Sequence, residues 1–340
     1  MKALVKSRSE PGLWLEEVEI PTIQSHEVLI KIRSNAICGT DLHIFHWDTW
    51  AKKTVPVPLI IGHEFMGEIV QIGKEVTHLQ IGQRVSGEGH ITCGNCRNCR
   101  EGKQYLCPYT QGIGSHRNGA FAEYLALPAS NVIVIPETIS DDIATILDPL
   151  GNAVHASLCF DLIGENVLIT GAGPIGLMTS AIAKHIGAKT ILITDINDYR
   201  LNLASILGAT HIVNVSDQSL KEVLKKLNLN LDMTVGLEMS GHPSNYPLLL
   251  ESLCYGGNIT LMGIPTNDVT IDMNKIIFKG LTLKGIYGRK MFETWDKMLS
   301  LLQSGLDVSA VITHHFNIQD YQKAFQTAEL GQAGKVLLHW

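Results

Sequence analysis

Apolar and polar residues alternate in short stretches through the first part of the chain, up to about residue 150. Alternation with a period of two, broken by turn residues, predicts strands with one buried face. The predicted strands are Val28–Arg33, Gly67–Ile72, Arg84–Ser86, Glu123–Leu127 and Val132–Ile135. This pattern indicates a β-rich unit with a barrel-like character.

From Glu165 to about Gly288 the pattern changes to apolar runs that alternate with amphipathic stretches. Such β-α alternation predicts a parallel, doubly wound sheet of the α/β class. The segments are Val167–Thr170, Pro174–Ile186, Thr190–Thr194, Tyr199–Leu207, His211–Val215, Leu220–Leu227, Thr234–Met239, Tyr246–Cys254, Asn258–Met262 and Leu281–Gly285.

The remaining residues begin with a helical pattern, Met291–Gln303, and return to the first style in Ala310–Phe316 and Lys335–His339. A chain of 340 residues exceeds the size at which one core usually keeps growing, so two domains are expected. We therefore predict a first domain made of residues 1–150 and 291–340, and an α/β domain made of residues 151–290.

Composition and charge narrow the partners that the chain can have. The 27 basic and 33 acidic residues give a formal charge of −6, and no basic block is present that would bind nucleic acid or anionic lipid. The first residues lack the apolar core of a signal peptide, and no apolar run approaches the ~20 residues that span a bilayer. We expect no nucleic-acid partner, no membrane partner and a cytoplasmic location.

Four cysteines, Cys93, Cys96, Cys99 and Cys107, stand close together in a glycine-rich stretch. A thiolate quartet suits a tetrahedral structural zinc, whereas disulfides are disfavoured in a chain without a secretory signal. An iron–sulfur cluster is the closest rival, but the ferredoxin run has three residues before its last cysteine and this chain has seven. We predict a structural zinc lobe at about residues 88–108, with the iron–sulfur interpretation and unliganded thiols left open.

A glycine-rich turn follows the predicted strand Val167–Thr170 and precedes a predicted helix. Gly171 permits a tight turn, Gly173 lets the backbone approach a pyrophosphate, and Gly176 allows close packing of helix and strand. Asp195 ends the next predicted strand at the offset expected for a residue that binds the adenosine ribose, which favours NAD over NADP. Arg200 leaves an ambiguity, because an arginine nearby can also bind a 2′-phosphate.

A second set of possible metal ligands lies earlier, at Cys38 and in the pair His63-Glu64. A catalytic zinc takes three protein ligands and keeps one position open for water or substrate. Taken singly, a lone cysteine is more often a buried packing residue, and a histidine followed by a glutamate is usually a surface pair. Their presence together with the quartet and the glycine-rich turn favours a catalytic metal site.

Taken together, these motifs resemble the zinc-containing medium-chain alcohol dehydrogenases, and the resemblance covers essentially the whole chain. It rests on Gly62–Gly67, the cysteine quartet, Asp148–Leu150 and Gly171–Gly176. The resemblance implies a β-rich GroES-like barrel catalytic domain with a structural zinc lobe, a Rossmann NAD-binding domain, and two zinc ions per chain. It also implies a homotetramer.

The resemblance implies roles for individual residues. Cys38, His63 and Glu64 would hold the catalytic zinc, and Asp148 stands where relatives carry a further ligand, so that it acts on the metal directly or through water. Thr40 and His43 would relay the released proton to solvent. Contacts to NAD would come from Ile175, Asp195, Arg200, Met262, Gly263, Ile264, Ile286 and Tyr287.

Within the superfamily, the strings Ala36–His43, Gly87–Cys93, Gly151–His155 and Gly285–Trp295 resemble members that oxidise the 3-hydroxyl of L-threonine to 2-amino-3-oxobutyrate. His90 is the main candidate for the amino-acid end of that substrate, followed by Glu88 and Arg289. A polyol dehydrogenase of the sorbitol type is the alternative activity. A relative that has lost the catalytic zinc and only binds NAD is the alternative class, and it would carry one zinc per chain.

Overall fold

The structure is a computed structural model that describes residues 1–265 and 267–340. Its strands are β1 Lys2–Lys6, β2 Trp14–Glu17, β3 Glu27–Ala36, β4 Leu59–Ile60, β5 Phe65–Ile72, β6 Arg84–Gly87, β7 His90–Ile91, β8 Gln111–Gly112, β9 Tyr124–Pro128, β10 Val132–Val134, β11 Asn166–Thr170, β12 Thr190–Asp195, β13 His211–Asn214, β14 Met233–Glu238, β15 Leu253–Leu261, β16 Thr282–Gly285, β17 Ile312–Asn317 and β18 Lys335–His339.

Its helices are α1 Gly39–His46, α2 Thr49–Thr54, α3 Arg97–Arg100, α4 Asp141–Thr145, α5 Leu147–Ser157, α6 Pro174–Ile186, α7 Asp198–Ile206, α8 Leu220–Lys226, α9 Asn245–Ser252, α10 Met273–Lys279, α11 Glu293–Gln303 and α12 Tyr321–Glu329. Short 3₁₀ turns lie at Gln104–Leu106, Ala129–Asn131, Ser309–Val311 and Ile318–Asp320. Within the described residues, no helix combines the length and the apolar character needed to cross a membrane.

The chain divides into two compact units. The first contains Met1–Asp148 and Ile312–Trp340, and the second contains Pro149–Val311. The sequence pattern assigned α11 to the first domain, whereas the structure keeps it in the second unit. Trp295 of α11 is buried there beneath the Arg289 guanidinium, and a hydrogen bond of 3.0 Å joins Ser304, just after α11, to His185 of α6.

A mostly antiparallel sheet forms the centre of the first unit, with strand order β10-β6-β5-β3-β18-β17 and with β9 also paired to β3. Strand β3 is buried over most of its length, and apolar side chains pack on both sides of the sheet. One core cluster includes Ile44, Trp47, Phe121 and Phe325, and another is built around Ile30, Phe65, Val85 and Leu125. Burial of apolar surface on this scale is the main force that holds the unit together.

The second unit is a parallel sheet with strand order β13-β12-β11-β14-β15-β16. Every residue of β11 is buried, as expected for a strand covered by helices on both faces. The strand order changes direction between β11 and β14, and open α/β sheets bind ligands beyond the carboxyl ends of strands at such a point. The glycine-rich turn follows β11, so the fold places it at this position.

Candidate functional site

The four cysteines of the lobe converge as the sequence predicts. Their sulfur atoms all lie within 4.8 Å of one another. The individual Sγ–Sγ distances are 3.5 Å for Cys96–Cys99 and Cys93–Cys107, 3.9 Å for Cys96–Cys107 and 4.0 Å for Cys93–Cys99. A tetrahedral zinc with Zn–S bonds near 2.3 Å needs sulfurs about 3.8 Å apart, so the residues present fit that metal.

Local structure orders the quartet and shifts its pKa values in opposite directions, since burial raises the pKa of Cys99 to about 11. The Cys96 side chain caps the short helix α3 and accepts the N–H of Cys99. Burial opposes ionisation of Cys107, but the N–H groups of Cys93 and Tyr109 favour its thiolate and lower its pKa to about 6. The thiolate is the form that binds metal.

Cys38, His63 and Glu64 also come together, with one donor atom of each within 4.8 Å of the others. Cys38 is the N-cap of α1, and the His63-Glu64 pair directly precedes β5. Gly62 turns the chain with a φ of +89°, where a side chain would lie 2.0 Å from the Phe121 ring. The thiol, imidazole and carboxylate are the donor types that a catalytic zinc takes.

Two buried charged residues that sequence reasoning missed contact members of this trio. Lys335, at the start of β18, lies with its Nζ 2.5 Å from Glu64 Oε2 and donates to the Ile37 carbonyl at 2.7 Å. Asp41 is fully buried and accepts the N–H of Cys38 at 2.9 Å. Asp41 could have been found from its place three residues after an N-cap. Lys335 has no such signal in the sequence, where it is a single lysine at the start of an apolar strand.

The ionisable groups at the trio and around it shift one another's pKa values. Burial alone would lower the pKa of His63, yet the sulfur of Cys38 and the carboxylates of Asp41 and Asp148 hold it well above its usual value. Burial raises the pKa of Glu64, and Lys335 opposes that rise. A divalent cation would satisfy this excess of negative groups.

Asp148 is buried beside the trio but is not one of the three donors that cluster within 4.8 Å. The turn that holds Gly89 lies against the same site, because a Cβ built there would be 3.6 Å from His63 Cβ and 3.9 Å from Asp148 Oδ1. His90 therefore follows a residue that touches the metal site. Its Nδ1 and its backbone N–H both bond to the buried Glu88 carboxylate, at 2.7 Å and 3.0 Å.

The structure separates the weaker substrate candidates from His90. The Glu88 carboxylate is fully buried and occupied by its bonds to His90. Arg289 is buried within the second unit, where it bonds to Asn152 and stacks on Trp295. Neither residue presents a free charged group to a substrate.

Thr40 and His43 lie three residues apart on α1, so that their side chains are neighbours on one helix face. Thr40 Oγ1 is 3.8 Å from the Cys38 sulfur. The His43 side chain is 57% exposed, and its Nδ1 is 2.6 Å from Asp48 Oδ2. Thr40 thus lies beside a metal-ligand candidate and His43 lies at the surface, and the relay stays a prediction.

The glycine-rich turn has the shape that the sequence predicts. Gly171 has a φ of +98°, and a Cβ on Gly176 would lie 1.9 Å from the Gly171 carbonyl oxygen. A Cβ on Gly173, the N-cap of α6, would meet nothing within 4 Å. Open space at the positive end of a helix suits a pyrophosphate, and Ile175 lies half-buried in the first turn of that helix.

Asp195 ends β12 and binds the glycine-rich turn directly. One carboxylate oxygen accepts the Ala172 N–H at 2.6 Å, and the other accepts the N–H groups of Ile196 and Asn197. Arg200 lies nearby on α7, and its Nε is buried without a hydrogen-bond partner among the described residues. The site thus has a fixed carboxylate and a guanidinium at the position expected for the adenosine ribose.

Glu238, which sequence reasoning also missed, connects the loop after β14 with the loop Met262–Ile264 that is expected to contact NAD. Its carboxylate, at the end of β14, accepts hydrogen bonds from Ser240 and from the Gly241 N–H. A Cβ on Gly263 would lie 2.4 Å from Glu238 Oε2. The remaining predicted cofactor residues follow the neighbouring strands, with Met262 and Ile264 after β15 and Ile286 and Tyr287 after β16.

Comparison with known proteins gives matches in both units. Residues 24–137 match the alcohol dehydrogenase GroES-like domain, and residues 174–304 match the zinc-binding dehydrogenase family. The chain is 56% identical over 340 residues to the L-threonine 3-dehydrogenase of Pseudoalteromonas atlantica, with all of both chains covered. That of Vibrio cholerae is also 56% identical, with 100% of this chain and 99% of the relative covered.

The chain belongs to the zinc-containing medium-chain alcohol dehydrogenase superfamily. Among solved structures, galactitol-1-phosphate dehydrogenase from Escherichia coli has a TM-score of 0.91 at 29% identity, with 100% of both chains covered. A short chain alcohol dehydrogenase from E. coli CFT073, complexed with NADH, has a TM-score of 0.92 at 30% identity. The match covers 100% of this chain and 99% of that chain. The predicted fold, a GroES-like barrel domain and a Rossmann domain of this superfamily, is confirmed.

Proposed function

We propose that the chain oxidises the 3-hydroxyl of L-threonine to 2-amino-3-oxobutyrate and transfers the hydride to NAD, with zinc held by Cys38, His63 and Glu64. The observation that carries this proposal is the trio itself, three donors of the right chemistry within 4.8 Å. It occurs in a chain that is 56% identical throughout to L-threonine 3-dehydrogenases. A second zinc at the cysteine quartet would fix the lobe.

At the trio, zinc would act as a Lewis acid that lowers the pKa of the substrate hydroxyl. Thr40 Oγ1 accepts the hydroxyl proton and passes it along α1 to His43. Because the His43 Nδ1 is held by Asp48, Nε2 exchanges the proton with water. NAD, when bound, would supply the acceptor for the hydride of the carbinol carbon, so that each turnover would yield ketone, NADH and one proton.

His90 is proposed to contact the amino-acid end of the substrate. The support is its place beside Gly89, which lies against His63 and Asp148, and its fixed orientation on Glu88. Replacing His90 by Ala should raise the Michaelis constant for threonine and leave that for NAD unchanged. An unchanged constant for threonine would remove His90 from the substrate site.

We propose NAD rather than NADP as the cofactor, on the charge and position of Asp195. The E. coli CFT073 relative was solved with NADH, whereas a putative zinc-binding dehydrogenase from Sinorhizobium meliloti was solved with NADP. The carboxylate of Asp195 would bind ribose hydroxyls and repel a 2′-phosphate. Michaelis constants for both cofactors test this, and equal use of NADP would contradict the role of Asp195.

One experiment tests the activity as a whole. Zinc-loaded protein is incubated with NAD and a panel of amino acids and polyols, and cofactor reduction is followed by absorbance. We expect reduction with L-threonine and, after dialysis into metal-free buffer, two zinc ions per chain. Reduction with sorbitol or xylitol and none with threonine would favour a polyol dehydrogenase, whereas one zinc and no activity would favour a non-catalytic NAD-binding protein.

We also propose a homotetramer in the cytoplasm, as the resemblance implies. In the second unit, β16 is the last strand of its sheet, and Ile277 and Phe278 of the preceding helix α10 are exposed. An unpaired strand edge and exposed apolar side chains are features that subunit contacts cover. Light scattering during gel filtration measures the state in solution, and a monomer would overturn this part of the proposal.

A further inference from the structure

A third group of metal-ligand side chains lies in the first unit and shares no residue with the catalytic trio or the cysteine quartet. It consists of Asp142, His315 and His339, whose donor atoms lie within 4.8 Å of one another. Nothing in the proposed reaction uses these residues. Their chemistry and geometry therefore call for a separate explanation.

Three different elements bring this group together. His315 lies on β17 and His339 on β18, and the parallel register pairs them with Leu337 and Asn317 respectively. The two histidines are thus diagonal neighbours on one face of the sheet. Asp142 is in the first turn of α4. Because the hydrogen-bonded strands fix both histidine backbones, only side-chain rotations separate this arrangement from a chelating one.

The three side chains already contact one another, and a hydrogen bond joins the two histidine rings. The His315 and His339 rings are parallel within 8°, and His315 Nδ1 is 3.0 Å from His339 Nε2. His315 Nε2 is 3.9 Å from Asp142 Oδ2. Donors around a tetrahedral zinc lie about 3.4 Å apart. The two contacts of His315 use different ring nitrogens, so binding requires this ring to rotate until one nitrogen faces both His339 and Asp142, whose donor atoms already lie within 4.8 Å of a His315 nitrogen.

The nearby arginines pair with a different carboxylate. The neighbouring carboxylate, Asp141, is paired with Arg33 at 3.4 Å and with Arg84 at 2.6 Å. Asp142 is left facing His315, and both side chains are 46% exposed. An ion can therefore reach the group from solvent, and the arginines are held by another carboxylate.

We propose that Asp142, His315 and His339 bind a divalent cation of the zinc class at the surface of the first unit. Two imidazoles and a carboxylate favour Zn²⁺, Ni²⁺ or Cu²⁺ over Ca²⁺ or Mg²⁺, which prefer oxygen donors. Such an ion would tie β18 to β17 and α4. It would add to any zinc at the trio and the quartet, and the site does not depend on the proposed function.

Equilibrium dialysis of the full-length, zinc-loaded protein against rising Zn²⁺ concentrations, followed by metal counting, tests the site. We expect one zinc per chain beyond those that remain after dialysis into metal-free buffer. The substitutions His315→Gln and His339→Gln should each weaken this additional binding at least about tenfold, since even residues that only orient ligands cost that much. Excess Zn²⁺ should raise the Tm of the wild type and not that of the double variant.

His314→Gln is the matched control, because His314 is the adjacent histidine of β17 and bonds to Thr313 instead. It should retain the additional zinc. Dehydrogenase activity and circular dichroism equal to those of the wild type establish that each variant is folded. Should His339→Gln not fold, the exposed His315 provides the same test. Equal additional binding by the wild type and the double variant, or no additional zinc in the wild type, would overturn the proposal.

Discussion

Lys335 is a buried charged residue, only 2% exposed, and its ammonium group lies against the Glu64 carboxylate. A buried charge is tolerated only when it is paired and hydrogen-bonded. Lys335 meets that condition through Glu64 and the Ile37 carbonyl. It thereby balances part of the negative charge that Cys38, Glu64 and Asp148 bring to one place.

Replacing Lys335 by Met should leave the shape nearly unchanged and remove the cation. We expect the free energy of unfolding to fall by about 3–5 kcal/mol, the usual cost of leaving one partner of a buried ion pair unpaired. We also expect altered zinc content, because Glu64 loses the group that orients it. Denaturant unfolding and metal counting measure the two effects.

The control for this variant is Lys323→Met on α12. Lys323 is 75% exposed, and its ion pair with Asp320 is 3.7 Å long and solvent-facing. Such a pair contributes about 0–1 kcal/mol, so stability and zinc content should stay close to the wild type. Equal losses in both variants would mean that Lys335 acts through general charge and not through Glu64.

His43→Ala should reduce turnover by roughly tenfold or more, since general acid–base groups commonly contribute 10²–10⁴-fold and water would partly replace the imidazole. The pH profile of turnover should shift as well. His46→Ala is the control, because His46 lies on the same helix, is 46% exposed and pairs with Glu329. A wild-type pH profile in His43→Ala would remove His43 from the proton path.

Residue types and spacing predicted the groups that bind metal and cofactor better than the residues that support them. The quartet follows from four cysteines close in sequence, and Gly171, Gly173 and Gly176 follow from their place between a strand and a helix. Lys335 and Glu64 meet only because β18 joins the sheet beside β3. A contact made by strand pairing across most of the chain leaves no local pattern.

Among the elements, α6 begins and ends where the sequence predicts, at Pro174 and Ile186. Proline at the first position and a left-handed Gly187 after the last are strong boundary signals. Strand β15 starts at Leu253, earlier than predicted. The prediction was wrong there because the apolar pattern of α9 continues into the first residues of the strand. Helix α1 was not predicted. Its N-cap is Cys38, and cysteine is not among the residues that usually mark the start of a helix.

The turn before α6 permits a prediction that separates stability from cofactor binding. Gly176→Ala should lower both, because its Cβ would lie 1.9 Å from a backbone oxygen. Gly173→Ala should leave Tm nearly unchanged, since its φ is −66° and its Cβ meets only open space. It should still weaken NAD binding, because that space is where the pyrophosphate lies.

Thermal unfolding and titration with NADH, followed by fluorescence, measure the two quantities. Gly173→Ala and Gly176→Ala serve as controls for each other, since both replace glycine by alanine at the start of α6. Unchanged NADH affinity in Gly173→Ala would place the pyrophosphate elsewhere.

For the whole molecule, the cysteine quartet connects metal content with stability. Cys107→Ser should lower the zinc count from two per chain to one and loosen residues 88–108, because a structural zinc supplies folding energy. We expect Tm to fall by at least about 5 °C and proteases to cleave first within this lobe. Cys159→Ser, outside the quartet, should keep both zinc ions and the wild-type Tm.

The first unit is discontinuous, since Ile312–Trp340 completes a sheet begun by residues far earlier in the chain. During synthesis on the ribosome, the second unit emerges whole, while β3 still lacks its neighbour β18. The Glu64 carboxylate therefore lacks its partner Lys335 until β18 leaves the exit tunnel. The metal site is therefore complete only after β18 has been synthesised and has paired with β3.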